Sequence, residues 1–143
     1  MSGEAVRGGR CACGAVRYET TGAPRRISVC HCKACQRRTG SAFGIACYFP
    51  RAAVRVLGGA TRTFERRSDA GRRVRLQFCE ACGTTVLWDA EVVPDLVGIA
   101  AGTLDDTSWL APKLHVWAGC AQSWLKLPED AEVLQQSNIG QTT

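Results

Sequence analysis

With 143 residues, 45% of them hydrophobic and 22% charged, the chain has room for one domain with its own core and none for a second; fibrous and wholly disordered classes are excluded. The stretch from Met1 to Gly9 holds no apolar run that could serve as a signal-peptide core, and no later stretch reaches the length of a membrane span, so a cytoplasmic protein without a membrane partner is expected. The formal charge of +5 invites a polyanion, but it counts cysteine as neutral, and seven thiolates around two divalent ions would lower it to about +2.

Residues 1–8 read as a flexible N-terminus, 9–134 as the folded domain and 135–143 as a flexible tail. Ala15 to Thr20 alternates apolar and polar residues as a half-buried strand does, with Cys11-Ala12-Cys13-Gly14 at its lip. Gly22-Ala23-Pro24 turns the chain into a short strand, Arg26 to Cys30, and Arg37 to Gly40 closes a loop or one helical turn. Ala42 to Phe49 is an apolar run ended by Pro50 and reads as a buried strand.

Thr61 to Arg66 and Arg72 to Phe78 form the arms of a hairpin turned by Ser68-Asp69-Ala70-Gly71, with Val74, Leu76 and Phe78 on one face and the arginines turned to water. Cys79-Glu80-Ala81-Cys82-Gly83 follows directly, then the strand Thr84 to Trp88, and Gly83 supplies the permissive backbone that such a knuckle needs. Leu96 to Leu104 is apolar, Pro112 to Trp117 gives a last strand, and Ala121 to Leu127 is a short helix or turn carrying Trp124. The fold class expected is mostly β, a single domain of antiparallel sheets with zinc-binding knuckles and little helix.

Nine cysteines, an odd number, do not suit a fully paired disulfide framework, and in a reducing compartment dense cysteines point to metal. Cys11 and Cys13 with Cys79 and Cys82 make two pairs, each beside a strand and followed by glycine, that would close a four-cysteine structural zinc site. Cys30, Cys32 and Cys35 put three thiols within six residues and leave a fourth corner. That corner is either closed by His115 or Cys47, or open to water or substrate as in a catalytic zinc site. Strand alternation points His31 away from the metal. Cys47 and Cys120 are left as small buried hydrophobes, and Trp88, Trp109, Trp117 and Trp124 as core or pocket wall.

The motifs Cys-x-Cys-Gly-x-Val-x-Tyr, Cys-His-Cys-x-x-Cys-x-Arg-x-x-Gly-Ser and Phe-Cys-x-x-Cys-Gly-Thr, followed by Pro-x-x-His with a Trp beyond, span roughly Gly9 to Leu127. In that order they resemble the glutathione-dependent formaldehyde-activating enzyme family, also called the centromere protein V family. The resemblance implies an Mss4-like, mostly β fold. It also implies structural zinc at Cys11, Cys13, Cys79 and Cys82, and catalytic zinc at Cys30, Cys32 and Cys35.

Three thiolates leave a zinc centre with a charge of about −1, so it acidifies bound water less than a site of neutral histidines and suits a thiol better. For the glutathione and formaldehyde that the resemblance implies, the thiol would add to the aldehyde to give S-hydroxymethylglutathione, the activity of a carbon–sulfur lyase. Ser41, His115 or a backbone N–H of the Thr39-Gly40-Ser41 loop would supply the proton, and Arg37 and Arg38 would pair with carboxylates. A non-enzymatic zinc module binding nucleic acid or protein through the Arg-rich hairpin is the alternative, and a thiol switch at Cys32 and Cys35 is a third reading. A homo-oligomer is compatible with all three.

Overall fold

The computed structural model describes residues 4–136, and 137–143 of the expected tail lie outside the described residues. Two sheets pack face to face. The smaller has the order β1 (Val6–Arg10), β2 (Arg17–Thr21), β5 (Val54–Gly58). The larger begins at one edge with β11 (Glu132–Val133), β10 (Leu114–Val116), β3 (Arg26–Cys30) and β4 (Gly44–Pro50), and continues through β9 (Leu96–Ala100), β8 (Thr85–Ala90), β7 (Arg73–Cys79) and β6 (Thr61–Arg67). The one α-helix among the described residues is α1, Lys33–Thr39.

The mostly β expectation holds, and the hairpin of β6 and β7 stands where the sequence put it. Three details differ. β1 begins at Val6, so the segment 1–8 expected to be flexible contains the start of a strand that pairs antiparallel with β2 from Val6 opposite Thr21. The larger sheet is mixed rather than purely antiparallel, because β10 runs parallel to β3 on one side and to β11 on the other, while the smaller sheet is antiparallel throughout. The strand expected to be last is followed by β11, while Gln122 to Leu125 forms a turn and leaves Trp124 72% exposed, so Trp124 is neither core nor pocket wall.

Alternation along β4 explains the layering. Cys47 and Phe49 point one way and meet Ile99, Leu87, Val16 and Tyr18 in the core between the sheets, whereas Ala46 points the other way, into a second cluster with Leu76, Trp88 and Ala100. Both faces of β4 are covered, which is why its sequence reads as an unbroken apolar run. Phe49 and Ile99 are fully buried, and truncating either to alanine costs about 2–5 kcal/mol. The second face of the larger sheet is the one that carries the cysteine trio. No helix among the described residues is long and apolar enough to cross a membrane.

Candidate metal centres and the pocket between hairpin and helix

The four-cysteine cluster joins two chain segments that are far apart in sequence. Cys11 and Cys13 come from the turn between β1 and β2, and Cys79 and Cys82 from the end of β7 and the knuckle after it, where Gly83 takes φ 80°. All four sulfurs lie within 4.8 Å of one another. A tetrahedron of sulfurs about 2.3 Å from a central ion has edges of about 3.8 Å. The separations of Cys11 Sγ from Cys13 Sγ, 3.7 Å, and of Cys13 Sγ from Cys79 Sγ, 3.8 Å, match that edge.

Backbone amides point at the sulfurs. Val16 N–H donates to Cys11 Sγ at 3.3 Å and Ala81 N–H to Cys79 Sγ at 3.4 Å, and such bonds favour the thiolate a metal needs. Thr84 ties the pairs together: its Oγ1 accepts from Ala12 N–H and lies 3.2 Å from Cys82 Sγ. The Thr84 hydroxyl, followed by its amide, lowers the Cys82 thiol to about 5. The donor set fits zinc, with every corner filled by protein.

The second cluster is built by a strand end and a helix start. Cys30 closes β3, Cys32 caps α1 with its sulfur accepting from Cys35 N–H at 3.4 Å, and Cys35 sits in the first turn. A run of good helix formers ending in Arg37 and Arg38 makes α1 a helix of two turns, longer than the loop or single turn expected. The three sulfurs lie within 4.8 Å of one another, and among the described residues no fourth His, Cys, Asp or Glu donor joins them. Hydrogen bonding from Cys30, and then from Cys35, holds Cys32 down at about 2, while the same contact pushes Cys30 up. Three sulfur donors with a missing corner also fit zinc, in the open form.

Both side chains proposed to close that corner lie elsewhere. Cys47 is wholly buried in the core between the sheets. His115 is buried and pairs with His31, Nδ1 to Nε2, at 2.9 Å. It does not line the pocket over the trio, so its roles as ligand and as proton donor are both set aside. His31 does point away from the metal site, as alternation required, with the edge of Phe43 against its ring.

Gln36, which sequence reading passed over, fixes the loop. Its Nε2 donates to His31 O at 2.8 Å and Cys120 O at 3.2 Å, and its Oε1 accepts from Gln122 Nε2 at 2.9 Å. Cys120 itself is exposed, which corrects its assignment as a buried hydrophobe.

A pocket of about 130 Å³ opens over the trio. Its walls are apolar and aromatic, from Tyr48, Leu76, Trp88, Val116 and Trp117. Trp88 lies flat enough to do this because residue 98 is glycine: a Cβ there would run into the indole. Trp88 Nε1 donates to Tyr48 Oη at 3.3 Å, and burial raises the Tyr48 phenol, which therefore stays protonated. Trp117 reaches the wall from a left-handed backbone, φ 54°, a strained conformation for a bulky residue.

Of the two arginines expected to meet a carboxylate, Arg38 lines the pocket, stacked over Trp88 with its guanidinium carbon 4.9 Å from the ring centroid, and Arg37 does not line it. Arg37 is exposed and lines a neighbouring groove with Phe64 and Phe78. Ser41 is exposed too, outside the pocket, its amide held by Thr39 Oγ1. The hairpin arginines divide. Arg75 faces water beside Glu65 at 3.4 Å as expected, but Arg66, Arg72 and Arg73 border the pocket. The stripe on which the nucleic-acid alternative rested is broken up in this way. Register could have found Arg66, since it pairs with Val74 and so shares the inward face.

The pattern of the glutathione-dependent formaldehyde-activating enzyme family matches residues 6–120, which takes in both clusters and the pocket. The chain belongs to this family. No curated protein sequence is significantly similar to it. Among solved structures, a crystal structure of a Rhodobacter sphaeroides protein is similar with a TM-score of 0.54 at 24% identity, covering 73% of this chain and 91% of that one. That likeness speaks to the fold alone. Family membership points to a function that is formaldehyde-activating and glutathione-related in kind.

Proposed function

We propose that the chain is a carbon–sulfur lyase that joins a thiol to an aldehyde and splits the adduct, with zinc held by Cys30, Cys32 and Cys35. The observation that carries this reading is the convergence of three sulfurs, without a fourth His, Cys, Asp or Glu donor among the described residues, on the floor of a walled pocket. When bound, zinc supplies acidification of an incoming thiol, so that sulfur is presented as a nucleophile.

The chemistry balances without any redox partner. In the forward direction the S–H bond breaks, an S–C bond forms at the carbonyl carbon, and the proton lost by sulfur is matched by one gained at the former carbonyl oxygen. The reverse direction returns free thiol and aldehyde. Tyr48 suits the proton step: its oxygen accepts from Trp88 Nε1, which leaves its own O–H for the oxygen that becomes an alkoxide. Trp88, Trp117 and Val116 keep water from the reacting atoms and fix the direction of approach. The four-cysteine cluster takes no part in the chemistry and acts on the fold, pinning β1 and β2 to the knuckle after β7.

The test is exchange. Thiols add to formaldehyde without an enzyme, so zinc-loaded protein should speed the exchange between free and adduct formaldehyde seen by NMR above the unaided rate, and protein stripped of metal should not. Equal exchange with and without the loaded protein would defeat the proposal.

A further inference from the structure

The pocket over the trio holds four guanidinium groups and a single carboxylate, Asp69, among the described residues that line it. Arg38 comes from α1, Arg66 from β6, and Arg72 and Arg73 from the hairpin turn and the start of β7. The ion pairs found among the described residues engage Arg51, Arg55 and Arg75, and none engages these four. Formaldehyde is neutral and a simple thiol needs no such surround. Arg72 and Arg73 are exposed at the rim, within reach of Glu91, whereas Arg38 and Arg66 are half-buried beside the apolar wall, where giving up water favours an anion that meets them.

Position narrows the anion further. Arg38 and Arg66 stand where the pocket meets the groove lined by Phe64 and Phe78, so they flank the way to the sulfurs. The space in the pocket, about 130 Å³, is close to the roughly 150 Å³ cavity that accepts a benzene ring. The charged group therefore lies only a few bonds from the reacting atom. A guanidinium presents paired donors that match the two oxygens of a carboxylate.

We infer that Arg66 and Arg38, backed by Arg72 and Arg73, form a carboxylate seat, so that the reacting pair includes a small acid. The acid is carried either by the thiol, as in a mercaptocarboxylate, or by the aldehyde, as in a 2-oxo acid of the glyoxylate type. This inference rests on the thiol–aldehyde reading above and adds the substrate class to it.

The experiment uses protein loaded with cobalt(II) in place of zinc, whose absorption reports sulfur entering the metal's coordination. Titration with 3-mercaptopropionate, 3-mercaptopropanol and cysteamine, matched thiols that are acidic, neutral and cationic, tests the first source. If the thiol brings the carboxylate, the acid binds about tenfold or more tightly than the alcohol and the amine binds weakest, since a hydrogen bond to a charged group is worth that ratio or more. If the aldehyde brings it, the thiols bind alike and kcat/KM with the neutral thiol favours glyoxylate over acetaldehyde by a similar factor. In either case Arg66→Met removes most of the preference, and Arg72→Met part of it, at unchanged metal content.

A preference for the acid in neither partner overturns the inference, as does a preference that survives both substitutions. Loss of metal in Arg66→Met with the preference intact also overturns it, because the guanidinium would then only offset the charge of the thiolates. If no thiol of any charge alters the cobalt spectrum, the thiol reading itself fails and the seat fails with it. Equal binding of all three thiols with no aldehyde preference leaves that reading standing and removes only the seat.

Discussion

Both cysteine clusters use the same donor atom, and they differ in what supplies the last corner and in what lies around it. The cluster of Cys11, Cys13, Cys79 and Cys82 draws its sulfurs from two loops that belong to different sheets, and amides and the Thr84 hydroxyl point at them. The trio draws its sulfurs from six consecutive residues, so it holds no distant parts of the chain together, and its surroundings are a pocket instead of a knuckle. Cross-linking distant segments stabilises a fold, whereas three local ligands leave a site free for chemistry. On the proposed function identical donors would do opposite work, and removing one from each cluster should separate the two roles.

The largest effect is expected from the cage. Structural zinc contributes roughly 10–16 kcal/mol of apparent binding energy in zinc-finger peptides, as much as or more than the 5–15 kcal/mol by which whole domains are stable. Cys79→Ser should accordingly leave the chain without a cooperative melting transition, and far-ultraviolet circular dichroism would record the loss. Retention of a wild-type transition would mean that the sheets hold without the cage, and the comparison between the clusters would break there.

Cys35→Ser should do the reverse. The melting transition stays near the wild-type temperature, metal content falls by one ion per chain, and adduct exchange drops by more than the roughly 100-fold that losing an outer partner of a metal ligand costs. Unfolding on the scale of Cys79→Ser would make the trio structural as well. A third change acts on the pocket alone. Tyr48→Phe keeps the ring against Trp88 and both metal ions but removes the donor, so kcat for adduct exchange should fall about 100-fold with little change in thiol affinity. A loss confined to KM would instead make Tyr48 a wall residue.

Legibility in the sequence followed the same division. Ligands declare themselves through spacing, so all seven metal-cluster cysteines were readable, and so were the strands around them wherever apolar and polar residues alternate. β1 was missed because Gly8 and Gly9 fill two of its five positions and hide its pattern. What depends on which face of a strand meets which neighbour was harder. His115 and Ser41 were plausible donors by residue type, but β10 turns His115 toward His31, and the loop after α1 carries Ser41 out of the pocket. Tyr48 looked like one more apolar residue in a buried run, and only the sheet's second face gives its hydroxyl a partner, Trp88, and a place in the pocket. Arg66 could have been assigned from register in the hairpin, which makes it the most recoverable of the misses.

The smallest effect concerns what lies behind the trio and has no counterpart behind the cage. His31 and His115 are buried against each other, and burial lowers both, with the charge of His115 adding to the effect on His31. The unfolded chain, at the ordinary value of 6.5, takes up these protons before the folded one does. Stability from the pair is therefore complete above 6.5 and declines as pH falls through that value toward the lower folded ones. His115→Gln keeps a polar partner for His31 but removes one titrating group. It should cost about 1 kcal/mol at neutral pH and above, as a weakened buried hydrogen bond does, and the gap to wild type should narrow below about pH 6.5 because the wild type has more to lose there. Denaturant midpoints of the two metal-loaded proteins, measured side by side from about pH 8 to about pH 5.5, give that gap directly. Acid release of metal acts on both proteins alike and cancels in the difference. A gap that stays constant across the range would mean that the pair is inert to protons and contributes nothing to the acid sensitivity of the fold.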